Sequence, residues 1–261
     1  MQLVVDVGNT ETVVGLATST TELAAHWRVS SSVPRTGDEM TALIRAFLAG
    51  DGVDESRIMR GVVGSVVPSV NQVWTETLAE ITGGEVISVG PASPLPIELD
   101  VEEPLSVGAD RIVNTLAARE LYGRDTIAVD LGTATTFDCI TGEGVFCGGV
   151  ISPGLKAGLE WLSTRTAKLP TVELKPPEIV IGRRTETCIQ SGVFYQAIDA
   201  VDGIVRRIKE EWGRPEAYVV ATGGFADSMG PYLTTVERIE PFLTLYGLAM
   251  AGDIIAGGSE A

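Results

Sequence analysis

The sequence predicts an α/β protein made of two related domains, each a mixed sheet with flanking helices, with a cleft between them. Two observations carry this. First, Leu3–Leu16 (LVVDVGNTETVVGL) and Ala128–Ile140 (AVDLGTATTFDCI) run alike: an aliphatic run ends in an aspartate, a glycine follows, and hydroxyl residues precede the next apolar run. By spacing, Asp6 matches Asp130, Gly8 matches Gly132 and Thr12 matches Thr136. A stretch repeated at about a domain's distance points to duplication. Second, each half carries three successive strands, at the start of the first half and after one helix in the second. The Pro-rich stretch Gly90–Pro104 separates the halves, so the domains are drawn as 1–104 and 105–261.

In the first half, Gln2–Val7, Thr12–Ala17 and Leu23–Ser30 read as strands joined by Gly-Asn-Thr and Ser-Thr-Thr turns. A helix follows Arg35 and runs to about Ala49, with Thr36 or Asp38 as its cap and Met40, Leu43, Ile44, Phe47 and Leu48 at helical spacing. Gly61–Val67 is a buried strand, Pro68 stands where a helix begins, and Val70–Ile81 carries that helix's apolar stripe. Val86–Val89 is a short strand, and Gly90–Pro104 a crossover loop.

The second half opens with a helix over Ser106–Leu121, then strands at Thr126–Leu131, Thr135–Thr141 and Gly144–Ile151. Gly154–Leu162 reads as helix, and Ser163–Ile181, with Pro170, Pro176 and Pro177, as an irregular excursion. Arg184–Trp212 is one long helix or two joined ones. Ala217–Ala221 is a strand ending in Thr222-Gly223-Gly224, Val236–Ile239 a last strand, and Phe242–Ile255 a closing helix with a frayed tail from Ala256.

The chemistry of the repeated stretch follows from its residue types. A strand delivers a carboxylate to its end, and glycine lets the chain turn closely against another backbone or a phosphate. Hydroxyls and N–H groups beyond it hydrogen-bond phosphate oxygens, and the carboxylate suits magnesium. Composition sets the outer bounds. With 44% apolar and 21% charged residues in 261, the chain is globular. Its net charge of −16 argues against nucleic acid or an anionic membrane as partner. An anionic substrate must then be drawn in by a metal, backbone dipoles or a few placed arginines. No Gly-x-x-x-x-Gly-Lys-Ser/Thr loop is present, and the four lysines, Lys156, Lys168, Lys175 and Lys209, lie outside both aspartate loops, which excludes a P-loop mechanism on its own motif. Cys139, Cys147 and Cys188 lack metal-site spacing and read as reduced thiols. The chain enters a strand at once, without a signal-type segment or a bilayer-spanning apolar run, so a cytoplasmic location is expected.

Further stretches join the two aspartate loops: Val107–Arg111 (VGADR), Gly148–Gly154 (GGVISPG), Arg165–Pro170 (RTAKLP), Gln190-Ser191-Gly192 and Ala221–Phe225 (ATGGF). On local pattern alone Asp110 reads equally as a helix cap and as a general base. In order, these stretches resemble the type III pantothenate kinase family across nearly the whole chain. The resemblance implies the duplicated actin-like (ribonuclease H-like) fold, and homodimers that phosphorylate pantothenate with ATP, using magnesium and a monovalent cation, potassium or ammonium, at the start of coenzyme A synthesis.

The resemblance also implies roles. Asp6, Val7, Gly8, Asn9, Thr10, Glu11, Thr12 and Val13 form the first phosphate loop, with Asp6 at the metal–phosphate end. Asp110 is the general base, and Gly108, Ala109 and Arg111 line the substrate site with Thr185. Asp130 holds the monovalent cation, Thr133 contacts ATP, and Gly223 and Gly224 lie against the nucleotide. The sequence departs from the family at Val101, where a tyrosine is common, and at Glu11, Arg184 and Tyr246. Two alternatives stand beside this reading: a kinase of another small alcohol, and a nucleotide-binding regulator without turnover. Trp161 and Phe194 read as core or dimer-interface residues, and Arg165 and Lys168 as substrate or partner contacts or a solvated loop.

Overall fold

The computed structural model describes residues 1–84, 86–166 and 168–258. Ala167 of the Arg165–Pro170 stretch and the last three residues of the tail lie outside the described residues. Strands β1 (Gln2–Val7), β2 (Glu11–Ser19) and β3 (Glu22–Ser30) precede helix α1 (Gly37–Gly50), then β4 (Arg60–Ser65), α2 (Asn71–Thr82), β5 (Val86–Val89) and β6 (Glu98–Leu99). The chain continues through α3 (Ala109–Tyr122), β7 (Thr126–Leu131), β8 (Ala134–Ile140), β9 (Val145–Pro153), α4 (Leu155–Arg165) and α5 (Thr185–Trp212). It closes with β10 (Tyr218–Thr222), α6 (Ala226–Met229), β11 (Arg238–Ile239) and α7 (Leu243–Gly258).

The two sheets have orders β3-β2-β1-β4-β5 and β11-β10-β7-β8-β9-β6. Apart from β6 the orders are equivalent: an antiparallel three-strand run, then two parallel strands beside its first member. The duplication read from two short stretches therefore extends over whole sheets. Packing groups the chain into two compact units. One holds Met1–Leu121, Gly144–Phe146 and the segment that begins at Leu243; the other holds Tyr122–Glu143 and Cys147–Phe242.

In the first unit, Leu3, Val5, Val7, Val14 and Leu16 bury one sheet face against Met40, Ile44 and Leu48 of α1 and Trp74 and Leu78 of α2. Helix α1 starts in a capping box: the Glu39 N–H donates to the Thr36 hydroxyl at 3.3 Å, and the Thr36 N–H donates to the Glu39 carboxylate at 2.8 Å. The opposite face packs on α7, where a methyl at Gly15 would meet Leu245 at 2.9 Å and one at Gly64 would meet Leu248 at 3.0 Å. Helices α3 and α7 touch closely, since a Cβ at Gly247 would run into the Val113 backbone. Their buried polar pair is matched, the Thr244 hydroxyl donating to Asn114 Oδ1 at 3.0 Å.

In the second unit, Ile127, Val129, Leu131, Phe137, Val219 and Ala221 face Val193, Phe194, Ile198, Val201 and Val205 of α5. That helix is a single 28-residue element. The loop before β11 is tied to it through buried Asp202, which accepts from the N–H and hydroxyl groups of both Thr234 and Thr235.

Three expectations change. The crossover loop contains β6, a two-residue edge strand that pairs Glu98 with Val145 and Leu99 with Phe146 and is too short to show periodicity. Helix α3 starts at Ala109, because Pro104–Ser106 forms a 3₁₀ turn instead. At the C-terminus, 256–258 continue α7 and are not frayed.

Candidate active site

In the first unit the chain crosses from β1 to β2 through Gly8, Asn9 and Thr10. The Gly8 N–H donates to the Glu11 carbonyl at 3.2 Å, and a Cβ at Gly8 would stand 2.8 Å from that oxygen, so the turn needs a residue without one. Asn9, Thr10 and Glu11 are exposed, whereas Asp6 is half-buried at the strand end. Val7 and Thr12 are buried, and Val13 is half-buried. The Thr12 hydroxyl lies 2.9 Å from that of Ser31, and the Ser31 N–H donates to the Thr10 carbonyl at 3.0 Å, so these groups hold the base of the hairpin.

Asp110 belongs to the same unit. Asp6 stands opposite Gly64 of β4, and a methyl at Gly64 would meet Ala109 at 3.4 Å. The GADR turn thus lies beside the strand that flanks Asp6. Asp110 is inside the first turn of α3 and not at its cap: Gly108 supplies the first carbonyl, to the Ile112 N–H at 3.2 Å. Its carboxylate accepts from the Arg111 N–H at 2.8 Å. Burial pushes the Asp110 carboxyl above the usual carboxylate range, opposed by that hydrogen bond and by the Arg111 charge. The Arg111 guanidinium stacks over Phe146, 4.8 Å from the ring centroid.

In the second unit, the equivalent residues meet at the carboxyl end of β7. Gly223 has φ +91°, and a Cβ there would collide with the Asp130 carboxylate and approach the Leu131 N at 2.8 Å. The turn is fixed by the Phe225 N–H donating to the Leu131 carbonyl at 3.0 Å. Gly154 closes another side, its N–H donating to the Thr133 carbonyl at 3.2 Å, and a side chain there would strike the Gly132 and Thr133 carbonyls. Asp130, Thr133, Gly223 and Gly224 are therefore brought together, with Thr133 and Gly224 exposed.

Register corrects one correspondence drawn from spacing. Asp6 pairs with Val13 and Val7 with Thr12, whereas Asp130 pairs with Thr136 and Leu131 with Thr135. The first hairpin is one residue longer, so the counterpart of Thr12 is Thr135. A one-residue offset places a side chain on the opposite sheet face.

Further residues of interest lie on α5 and α4. Thr185 is exposed at the first residue of α5, next to Arg184 at the cap. Gln190 and Ser191 anchor the irregular excursion, donating to the carbonyls of Glu173 at 2.8 Å and Val180 at 2.5 Å. Helix α4 brings the Lys156 ammonium 5.4 Å from the centroid of the Phe225 ring, beside Gly224, while it lies outside both aspartate loops in sequence. Among the described residues no three carboxylate, imidazole or thiol groups cluster as a metal site. The donor set fits an ion held by one carboxylate together with phosphate oxygens and water, which is magnesium's usual arrangement with nucleotides.

Two equivalent sheets, each with an Asp-x-Gly loop at the end of its first strand, make up a duplicated actin-like fold. The fold is similar to a ROK family glucokinase from Streptomyces griseus solved with glucose and AMPPNP (TM-score 0.54, 13% identity, 98% of this chain and 99% of that one). Within that fold class, the profile of the type III pantothenate kinase family matches residues 2–207. The chain is 44% identical over 248 residues to the type III pantothenate kinase of Moorella thermoacetica, covering 95% of this chain and 97% of that protein. It is 43% identical to the one from Syntrophotalea carbinolica, at 95% and 96% coverage. This chain belongs to the type III pantothenate kinase family.

Proposed function

We infer that the protein phosphorylates pantothenate with ATP to give 4'-phosphopantothenate, the first step of coenzyme A biosynthesis. The observation that carries this is family membership over almost the whole chain together with a half-buried aspartate in the GADR turn. In this reading the Asp110 carboxylate takes the proton of the pantothenate hydroxyl. The freed oxygen bonds to the γ-phosphorus of ATP, and the bond from that phosphorus to the bridging oxygen breaks to release ADP. Its raised pKa brings Asp110 closer to working pH, which suits a base. Gly108, Ala109, Arg111 and Thr185 are the substrate contacts.

Residues Asp6 to Val13 form one phosphate loop, and Thr133, Gly223 and Gly224 the other contacts to ATP. Their glycines let backbone N–H groups approach the phosphates. Magnesium held with the phosphates by Asp6, and potassium or ammonium at Asp130, supply positive charge against the phosphate oxygens. Phosphoryl transfer through a loose transition state depends mainly on such positioning and electrostatics.

The reading includes a homodimer. It is supported by large apolar side chains left exposed in the second unit: Ile151, Trp161, Ile179, Val180 and Ile181. Phe194, by contrast, lies in the core. Residues 1–104 and 105–261 are proposed as the two copies along the chain, a division by sequence that differs from the grouping by packing. A biosynthetic kinase drawing on cellular ATP is assigned to the cytoplasm, and among the described residues no helix is long and apolar enough to cross a membrane.

The test is ADP release with ATP, magnesium and potassium, in the presence of pantothenate, glucose or no acceptor. Release that requires pantothenate is expected. Equal release with glucose would favour the other small-alcohol kinase, and nucleotide binding without release the regulator.

A further inference from the structure

The two loop aspartates match in sequence, but their strand neighbours differ. Residues directly opposite one another on paired strands project from the same sheet face. Asp6 is flanked by Val13 on one side and Gly64 on the other, neither of which carries a side-chain oxygen. Asp130 is flanked by Thr136 and Thr222. Asp130 therefore sits in a row of three oxygen-bearing side chains, and Asp6 does not.

One of those hydroxyls has no partner. Thr222 is fully buried, and its Oγ1 makes no hydrogen bond among the described residues, to Asp130 or to any other group. A buried hydroxyl left unmade costs about 1–3 kcal/mol. The Asp130 carboxylate leans toward the same strand end, where a Cβ at Gly223 would collide with it. The Thr222 hydroxyl beside this carboxylate therefore has lone pairs available for a third group. Carboxylate and hydroxyl oxygens suit a hard cation, and a single negative charge matches a monovalent one.

We propose that Thr222 completes the cation site at Asp130 as a direct oxygen ligand, and that this hydroxyl distinguishes the second loop from the first. The proposal rests on the reading of Asp130 as the monovalent-cation residue and adds the residue that makes it selective for that role. It also accounts for the threonine ahead of Gly223-Gly224, whose buried hydroxyl makes no hydrogen bond among the described residues.

The test is calorimetric binding of a non-hydrolysable ATP analogue with magnesium across a potassium titration, with choline chloride holding ionic strength. Wild type is compared with Thr222→Val, Thr222→Ser and Asp130→Asn, and each variant's melting temperature is recorded. The expected result is potassium-dependent binding in wild type, its loss in Asp130→Asn, and a midpoint shifted about ten- to a hundredfold upward in Thr222→Val. Thr222→Ser, which keeps the oxygen, stays near wild type. A wild-type midpoint in Thr222→Val, with Asp130→Asn still unresponsive, overturns the proposal and leaves the Asp130 reading intact. A wild type indifferent to potassium overturns the Asp130 reading and the proposal with it. Should Thr222→Val fail to fold, the same comparison on Thr222→Ala decides, because that change also removes the oxygen.

Discussion

Asp110, the proposed general base, carries a pKa shift that bears on stability as well as on the proposed chemistry. Burial raises its pKa, with the Arg111 N–H and guanidinium opposing. An acid whose folded pKa is raised contributes stability that is fully present below its unfolded pKa and is lost as pH rises through the folded one. At neutral pH the ionised carboxylate is therefore a net cost to folding. Asp110→Asn is predicted to melt no lower than wild type at pH 7, as differential scanning calorimetry would read, with the difference disappearing in acid. The kcat/KM of wild type should rise with pH through a pKa above the ordinary carboxylate range.

Asp202 behaves oppositely. Burial pushes its pKa up, but hydrogen bonds from Thr234 and Thr235 outweigh that and hold it below the usual value. Its stabilisation is present above the unfolded pKa and lost as pH falls through the folded one. Asp202→Ala should lose about 2–3 kcal/mol in urea unfolding at pH 7, and the gap should narrow in strong acid. Residue types and spacing singled out Asp6 and Asp130 in the sequence, and the family resemblance singled out Asp110. Asp202 gave no such sign, because its partners lie 32 and 33 positions away. The unpaired hydroxyl of Thr222 was equally hidden, since only strand pairing sets it beside Asp130.

Among the elements, the turn after β10 makes the sharpest demand on residue type. Gly223 combines φ +91° with direct approach to Asp130 and Leu131. Gly223→Ala should cost about 1–2 kcal/mol from backbone conformation alone, with a further loss from displacing Asp130. Nucleotide-analogue affinity should fall with it, and binding and melting on the same variant would check both. Most elements could be read in advance: β1, β5 and β7 coincide with the predicted strands, and α1 carries the predicted Thr36 cap. Periodicity and capping are local, so the sequence displays them. The register offset between the two hairpins is set by turn length, and spacing alone misassigned Thr136 to Thr12.

For the whole molecule, duplication is the main organising fact, and two short stretches sufficed to indicate it. Packing then regroups the chain, since α3 and α7 lie with the first sheet although they follow Pro104 in sequence. Contacts between residues this distant along the chain leave no local trace. The exposed apolar residues of the second unit bear on assembly. Trp161 is 61% exposed, and placing a charge in such a patch opposes its burial between subunits. If the proposed homodimer uses this patch, Trp161→Glu should lower the dimer fraction in analytical ultracentrifugation without lowering the melting temperature of the separated subunit.

The most direct test of the central claim is phosphorus NMR of a reaction containing ATP, magnesium, potassium and pantothenate, run with wild type and with Asp110→Asn of matched thermal stability. A phosphomonoester of pantothenate is expected from wild type, formed about 10²–10⁴-fold more slowly by the variant. Equal rates from the two proteins would contradict the assignment of Asp110. Absence of the ester from the wild-type reaction would contradict the function itself.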